Sequence, residues 1–167
     1  MKDAFQKLVF LGAILSVIIV SCEKPDVKED QNLVEKLYSS SQDTITIDSH
    51  NYFLETYLSR DFMPGGPIPK NSRLAALIYL VNSDSLKISN NITISKLFVI
   101  NGSLIWTSIP HDPNDLYVPE YKLVRVSIDG PEWETDIFVN VVAEIHNSLT
   151  DKVDYIIARN QKIEGTY

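Results

Sequence analysis

"DIFVNVVAEIHNSLTDKVDYIIARNQKIEGTY", residues 136–167, decides the fold class. Two runs rich in Val and Ile flank the polar "SLTD", a spacing that suits a β-hairpin. In the first run His146 shares strand parity with Asn140 and Glu144, which places all three on the polar face of an alternating strand.

Upstream the same period recurs. "TITID" puts Ile45 and Ile47 on one face, and "NYFLETYLS" alternates Tyr52, Leu54, Thr56 and Leu58 against Phe53, Glu55 and Tyr57. "RLAALIYLVN" and "ITISKLFVI" are apolar on both faces, as central strands are. The second ends at Asn101-Gly102, a turn signal that makes "SLIWTS" its return strand. "YKLVRVSID" sets Val124, Val126 and Ile128, with Lys122 at their margin, against Tyr121, Leu123, Arg125 and Ser127; "DGPEW" after it is a turn. Seven or eight short strands without an alternating helical pattern predict an all-β domain over residues 43–167, an antiparallel β-sandwich of immunoglobulin-like topology.

The chain opens differently. Residues 8–20, "LVFLGAILSVIIV", form an apolar run that as a helix would cover only about 20 Å of a hydrocarbon core roughly 30 Å thick. It has no polar face, so it does not suit a core helix. Lys2 and Lys7 before it and a small residue after it make a secretory pattern.

Ile19-Val20-Ser21-Cys22 resembles the bacterial lipobox. That resemblance implies a lipoprotein signal peptide over residues 1–21, diacylglycerol on the Cys22 sulfur and acylation of its freed amine. Two or more acyl chains hold a protein stably on a membrane, whereas one does not. Cys22 is the chain's only cysteine and has no intramolecular disulfide partner. "EKPDVKEDQ" behind it has the composition of a tether, expected to run through residues 22–42, with "NLVEKLYSSS" supplying one or two helical turns. The acidic Lys28-Glu29-Asp30 resembles the surface-export signal of Bacteroidota lipoproteins, offset from the cysteine. Taken whole, the chain resembles small Bacteroidota-type lipoproteins, which implies an outer-membrane lipoprotein, periplasmic or surface-exposed, with membrane contact through the anchor.

Composition narrows the function. A net charge of −7, with the Lys and Arg scattered, argues against nucleic acid as a partner. Prolines mark two irregular loops, "DFMPGGPIPK" and "IPHDPNDLYVPE". The second offers His111, Asp112, Asn114, Asp115 and Tyr117, with Trp106 upstream; Trp133 follows in the next turn. Trp106, His111, Asp112, Asp115, Tyr117 and Trp133 are therefore the candidate ligand-binding residues, through aromatic stacking on a glycan or an envelope protein if the two loops meet at one end of the domain. Oxygen ligands at 112, 114 and 115 lack the turn glycine and terminal glutamate of an EF-hand, so no metal site is assigned and no cofactor is expected.

No Gly-x-Ser-x-Gly, His-Glu-x-x-His or phosphate-loop pattern is present, and His50, His111 and His146 are widely spaced. The expected function is a non-catalytic binding or accessory module. The alternative is a small envelope hydrolase with a dispersed site, for which a His beside a carboxylate in a concave pocket would argue, whereas a flat exposed aromatic patch would favour binding. Asp43-Thr44-Ile45 and Asp84-Ser85-Leu86 also resemble the Asp-Ser/Thr-apolar motif of Bacteroidota O-glycosylation, which makes Thr44 and Ser85 candidate acceptors.

Because a hydroxyl cannot replace the thiol in the anchoring reaction, Cys22→Ser is expected to abolish lipidation and leave an unprocessed precursor. Metabolic labelling with a fatty acid tests this, and undiminished label on the variant would contradict the anchor.

Overall fold

The computed structural model describes residues 25–63, 72–113 and 116–167. The expected signal peptide and Cys22 lie outside the described residues.

The strands are β1 (Val27–Glu29), β2 (Ser41–Gln42), β3 (Ile45–Ile47), β4 (His50–Asp61), β5 (Ala75–Asn82), β6 (Ile92–Asn101), β7 (Leu104–Ser108), β8 (Lys122–Ser127), β9 (Phe138–Asn147) and β10 (Lys152–Thr166), with one helix, α1 (Gln31–Ser40). The all-β expectation holds, but the antiparallel immunoglobulin-like sandwich does not form. Instead a ten-stranded sheet runs β1-β7-β6-β9-β10-β4-β5-β8, with β2 beside β10 and β3 beside β4. It curls so that its two halves face each other across one core.

β10 joins the halves. Its first part pairs antiparallel with β9, from Lys152↔Asn147 to Ala158↔Val141. The register then slips before Gln161, where Asn160 adopts φ 52° and its N–H donates to the Asn140 side-chain oxygen at 3.0 Å. Such a bulge bends a strand and increases its twist. Past it, β10 pairs in parallel with β4, Ile163↔Leu58 through Thr166↔Asp61, a mode that hairpin logic does not anticipate. The apolar residues agree with this path, since Ile156 and Ile163 are both fully buried in the common core.

The inner faces follow the alternation. Tyr52, Leu54 and Leu58 of β4, Ala76, Ile78 and Leu80 of β5, and Val139, Val141, Ala143 and Ile145 of β9 share the core. The register sets Leu123, Arg125 and Ser127 of β8 opposite Leu80, Ile78 and Ala76, so β8 turns its valines outward. At one end Arg60, only 9% exposed, ties loops together. Its Nε donates to the Ser72 carbonyl at 2.7 Å and its Nη1 to those of Trp133 at 2.7 Å and Glu132 at 3.3 Å.

Residues 27–42, expected as tether, are built into the domain. β1 pairs with β7, and α1 is ten residues long, capped by the Asp30 carboxylate accepting from the Leu33 N–H at 2.9 Å. Val34 and Leu37 pack on Phe98, Ile100, Ile105, Val142 and Ile157, covering the outer face of the β6-β7-β9-β10 half. A helix this short is marginal in isolation, and packing on the sheet stabilises it.

The β3–β4 hairpin turns on Asp48 and Ser49, at φ 49° and 67°, a pair of left-handed residues in a two-residue turn. Glycine carries no steric penalty there. Ser49→Gly is expected to raise unfolding free energy by about 1 kcal/mol and Tm by roughly 2–4 °C, measured by thermal and urea denaturation.

Candidate functional site: an aromatic sheet face

The two halves are covered unequally. α1 lies over one outer face, whereas no helix or strand among the described residues lies over the outer face of β4-β5-β8. On that face the register sets Tyr57 opposite Leu77 and Leu77 opposite Val126, with Phe53 opposite Val81 and Tyr79 opposite Val124. Phe53 and Tyr57 stand four residues apart on β4, about 13 Å, with Tyr79 beside them on the next strand. Tyr57 is 47% exposed.

One ion pair crosses this face. Lys122 donates to Glu55 at 2.5 Å, with its ammonium 5.4 Å from the centre of the Tyr79 ring. The hydrogen bond to Glu55 raises the Lys122 pKa, so the ammonium stays charged at neutral pH. Burial raises Tyr52, and Tyr155 is raised by burial and by its hydrogen bond to Glu144; the bond to Asp136 raises Lys162. Each of these upward shifts preserves the charge state the group has in water near neutrality, and none creates a proton donor or acceptor poised there.

Of the residues expected to bind, the two tryptophans are drawn against the core. Trp106 is 2% exposed and belongs to the core, its ring packed where Gly130 leaves room: a Cβ on Gly130 would stand 2.8 Å from the indole. Trp133 is half-buried against the same core, its carbonyl held by Arg60. His111 pairs with Val126 through backbone hydrogen bonds, and Asp112 forms an ion pair with Arg125. Tyr117 is 92% exposed. Asp115 lies outside the described residues, as do Pro64, Pro67 and Pro69 of the first loop.

The described parts of the second loop, residues 109–113 and 116–121, flank β8. They follow its edge from His111, beside Val126, to Tyr121, whose carbonyl accepts from the Asn82 N–H at 3.0 Å. Along the way Asp112 and Glu120 face Lys87, Lys122 and Arg125 across an open groove of about 320 Å3. Those charges are satisfied in pairs: Lys87 with Glu120 at 2.7 Å, Arg125 with Asp112, Lys122 with Glu55.

Two histidines do meet carboxylates, His50 with Asp84 at 3.0 Å and His146 with Asp151 at 3.1 Å. Both pairs stand at exposed turns, and neither lines that groove. Among the described residues no group of three or more His, Cys, Asp and Glu gathers to hold a metal ion. Comparison with protein-family models, curated proteins and solved structures returned no match.

The aromatic face could have been found from two separate runs, which form the strands on either side of β5. Phe53 and Tyr57 share the parity opposite to the buried Tyr52, Leu54 and Leu58, and Val124 and Val126 share another apolar parity. What decides the outcome is which parity of β8 turns inward, and only pairing with β5 fixes that.

Trp106→Ala is expected to lower stability by about 3–5 kcal/mol through the cavity it leaves, measured by urea denaturation. A stable variant would contradict its place in the core.

Proposed function

We propose that the chain is an exported lipoprotein of the bacterial outer membrane, anchored through Cys22 and facing the periplasm or the cell exterior, whose β domain is a non-catalytic binding module. The observation that carries the binding half of this reading is the uncovered face bearing Phe53, Tyr57, Leu77, Tyr79 and Val126. Contiguous apolar surface framed by polar groups marks interaction sites, and aromatic rings bind with little loss of conformational freedom. The anchoring half rests on residues 8–22.

The ligand class is a glycan. The C–H faces of sugar rings stack on tyrosine and phenylalanine, and the Glu55–Lys122 pair offers an acceptor and a donor to their hydroxyls. A protein with a flat apolar surface is the second class this face suits. The hydrolase alternative is disfavoured because both His–carboxylate pairs sit at exposed turns, outside any enclosed space that could exclude water. Thr44 and Ser85, both exposed, are the positions we propose for attached sugar.

Sedimentation with purified envelope polysaccharide and peptidoglycan tests the reading. The wild type binds, and Tyr57→Ala with Tyr79→Ala weakens binding about tenfold or more while the β-sheet circular dichroism is retained. Equal binding by wild type and the double variant would overturn the assignment of this face.

A further inference from the structure

We infer that the domain is seated directly on the bilayer by the end of the molecule where Ile109, Ile128 and Met63 emerge. The inference rests on the lipid-anchor reading above and adds to it an orientation and a contact surface.

The described residues begin close to the anchor. The Asp26 carbonyl accepts from the Thr107 N–H at 2.9 Å and the Pro25 carbonyl from the Val27 N–H at 2.9 Å, which fixes both residues beside the end of β7. Cys22 precedes Pro25 by three residues, a span of at most about 11 Å. A domain of this length is roughly 35–40 Å across. The connection is much shorter than the body it holds, so the surface around Pro25 must meet the headgroups.

That surface carries exposed apolar side chains beside the Asp26–Lys28 and Arg73–Asp129 ion pairs. Ile109 follows Thr107 by two residues and is 79% exposed. The isolated antiparallel bridge His111↔Val126 lies two residues from Ile109 on one strand and two from Ile128 on the other, Ile128 being 55% exposed. The pairings Ser59↔Ala75 and Ala76↔Ser127 bring the end of β4, and with it the exposed Met63, to the same end of the β4-β5-β8 half. Exposed apolar side chains occur elsewhere too, but Leu86 leaves the opposite end of β5 and lies beyond the reach of the anchor. The occupant is the interfacial layer of a phospholipid bilayer. With a net charge of −7 the protein gains nothing from anionic lipid, so the contact depends on apolar insertion beside the anchor.

The sole cysteine makes the test direct. The chain from Cys22 onward is coupled through its thiol to maleimide-bearing lipid in phosphatidylcholine–phosphatidylethanolamine vesicles, so anchoring is supplied chemically whatever happens in the cell. Ile109→Trp is expected to show blue-shifted emission, quenched at least twofold more by headgroup nitroxide lipid than the native tryptophans alone. Leu86→Trp is expected to show no added quenching. Hydrogen exchange of the unsubstituted protein gives a second reading, with slower exchange over residues 107–111 and 126–130 on vesicles than in solution. Coupled protein whose Ile109→Trp is unquenched and whose exchange is unchanged would overturn the seating. The anchor itself is judged separately, by fatty-acid labelling of Cys22→Ser in cells.

Discussion

Trp106 closes the sheet. A ten-stranded ribbon with one apolar face must hide that face against itself, and no ladder joins β7 to β8 among the described residues to complete a ring. The ends meet instead through the backbone bridge of His111, just past β7, with Val126 of β8, and through the indole on β7, which packs against Gly130 just past β8. Glycine at 130 permits an approach that any side chain would block. Nearby, Arg60 draws Ser72, Glu132 and Trp133 together by donating to their carbonyls from one planar guanidinium.

The curl also explains why the two outer faces differ. Residues ahead of the first long strand turn back through β1 and α1 onto the β6-β7-β9-β10 half, where Val34 and Leu37 find Phe98, Ile100 and Val142. Among the described residues no second helix covers the other half. Its outer face therefore keeps Tyr57 in the open among the half-buried Phe53, Leu77, Tyr79 and Val126, braced by a lysine that lies over one ring and holds Glu55.

Much of the strand pattern was legible because its signals are local. The β9–β10 hairpin, the Gly102-Ser103 turn with Gly102 at φ 61°, and the two-sided hydrophobicity of β5 and β6 all follow from neighbouring residues. The architecture was not legible, because it depends on a parallel contact between Ile163 and Leu58 across most of the chain. The candidate site shares that difficulty. Trp106 and Trp133 look like ligand residues by their nearness to loops, yet burial depends on Gly130 and Arg60, which pattern alone does not connect to them. Conversely, Tyr57 and Tyr79 look like ordinary strand residues until β8 is seen to turn Leu123 inward.

The position of β10 has a consequence for the order of events. The last strand to be synthesised lies between β9 and β4, so neither half can be sealed until residues 152–166 have left the ribosome. Contacts of such long sequence separation form slowly, because loop closure must precede any reward from burial. A nascent chain built this way stays open along its whole length until the final strand slots between the two halves and completes the sheet.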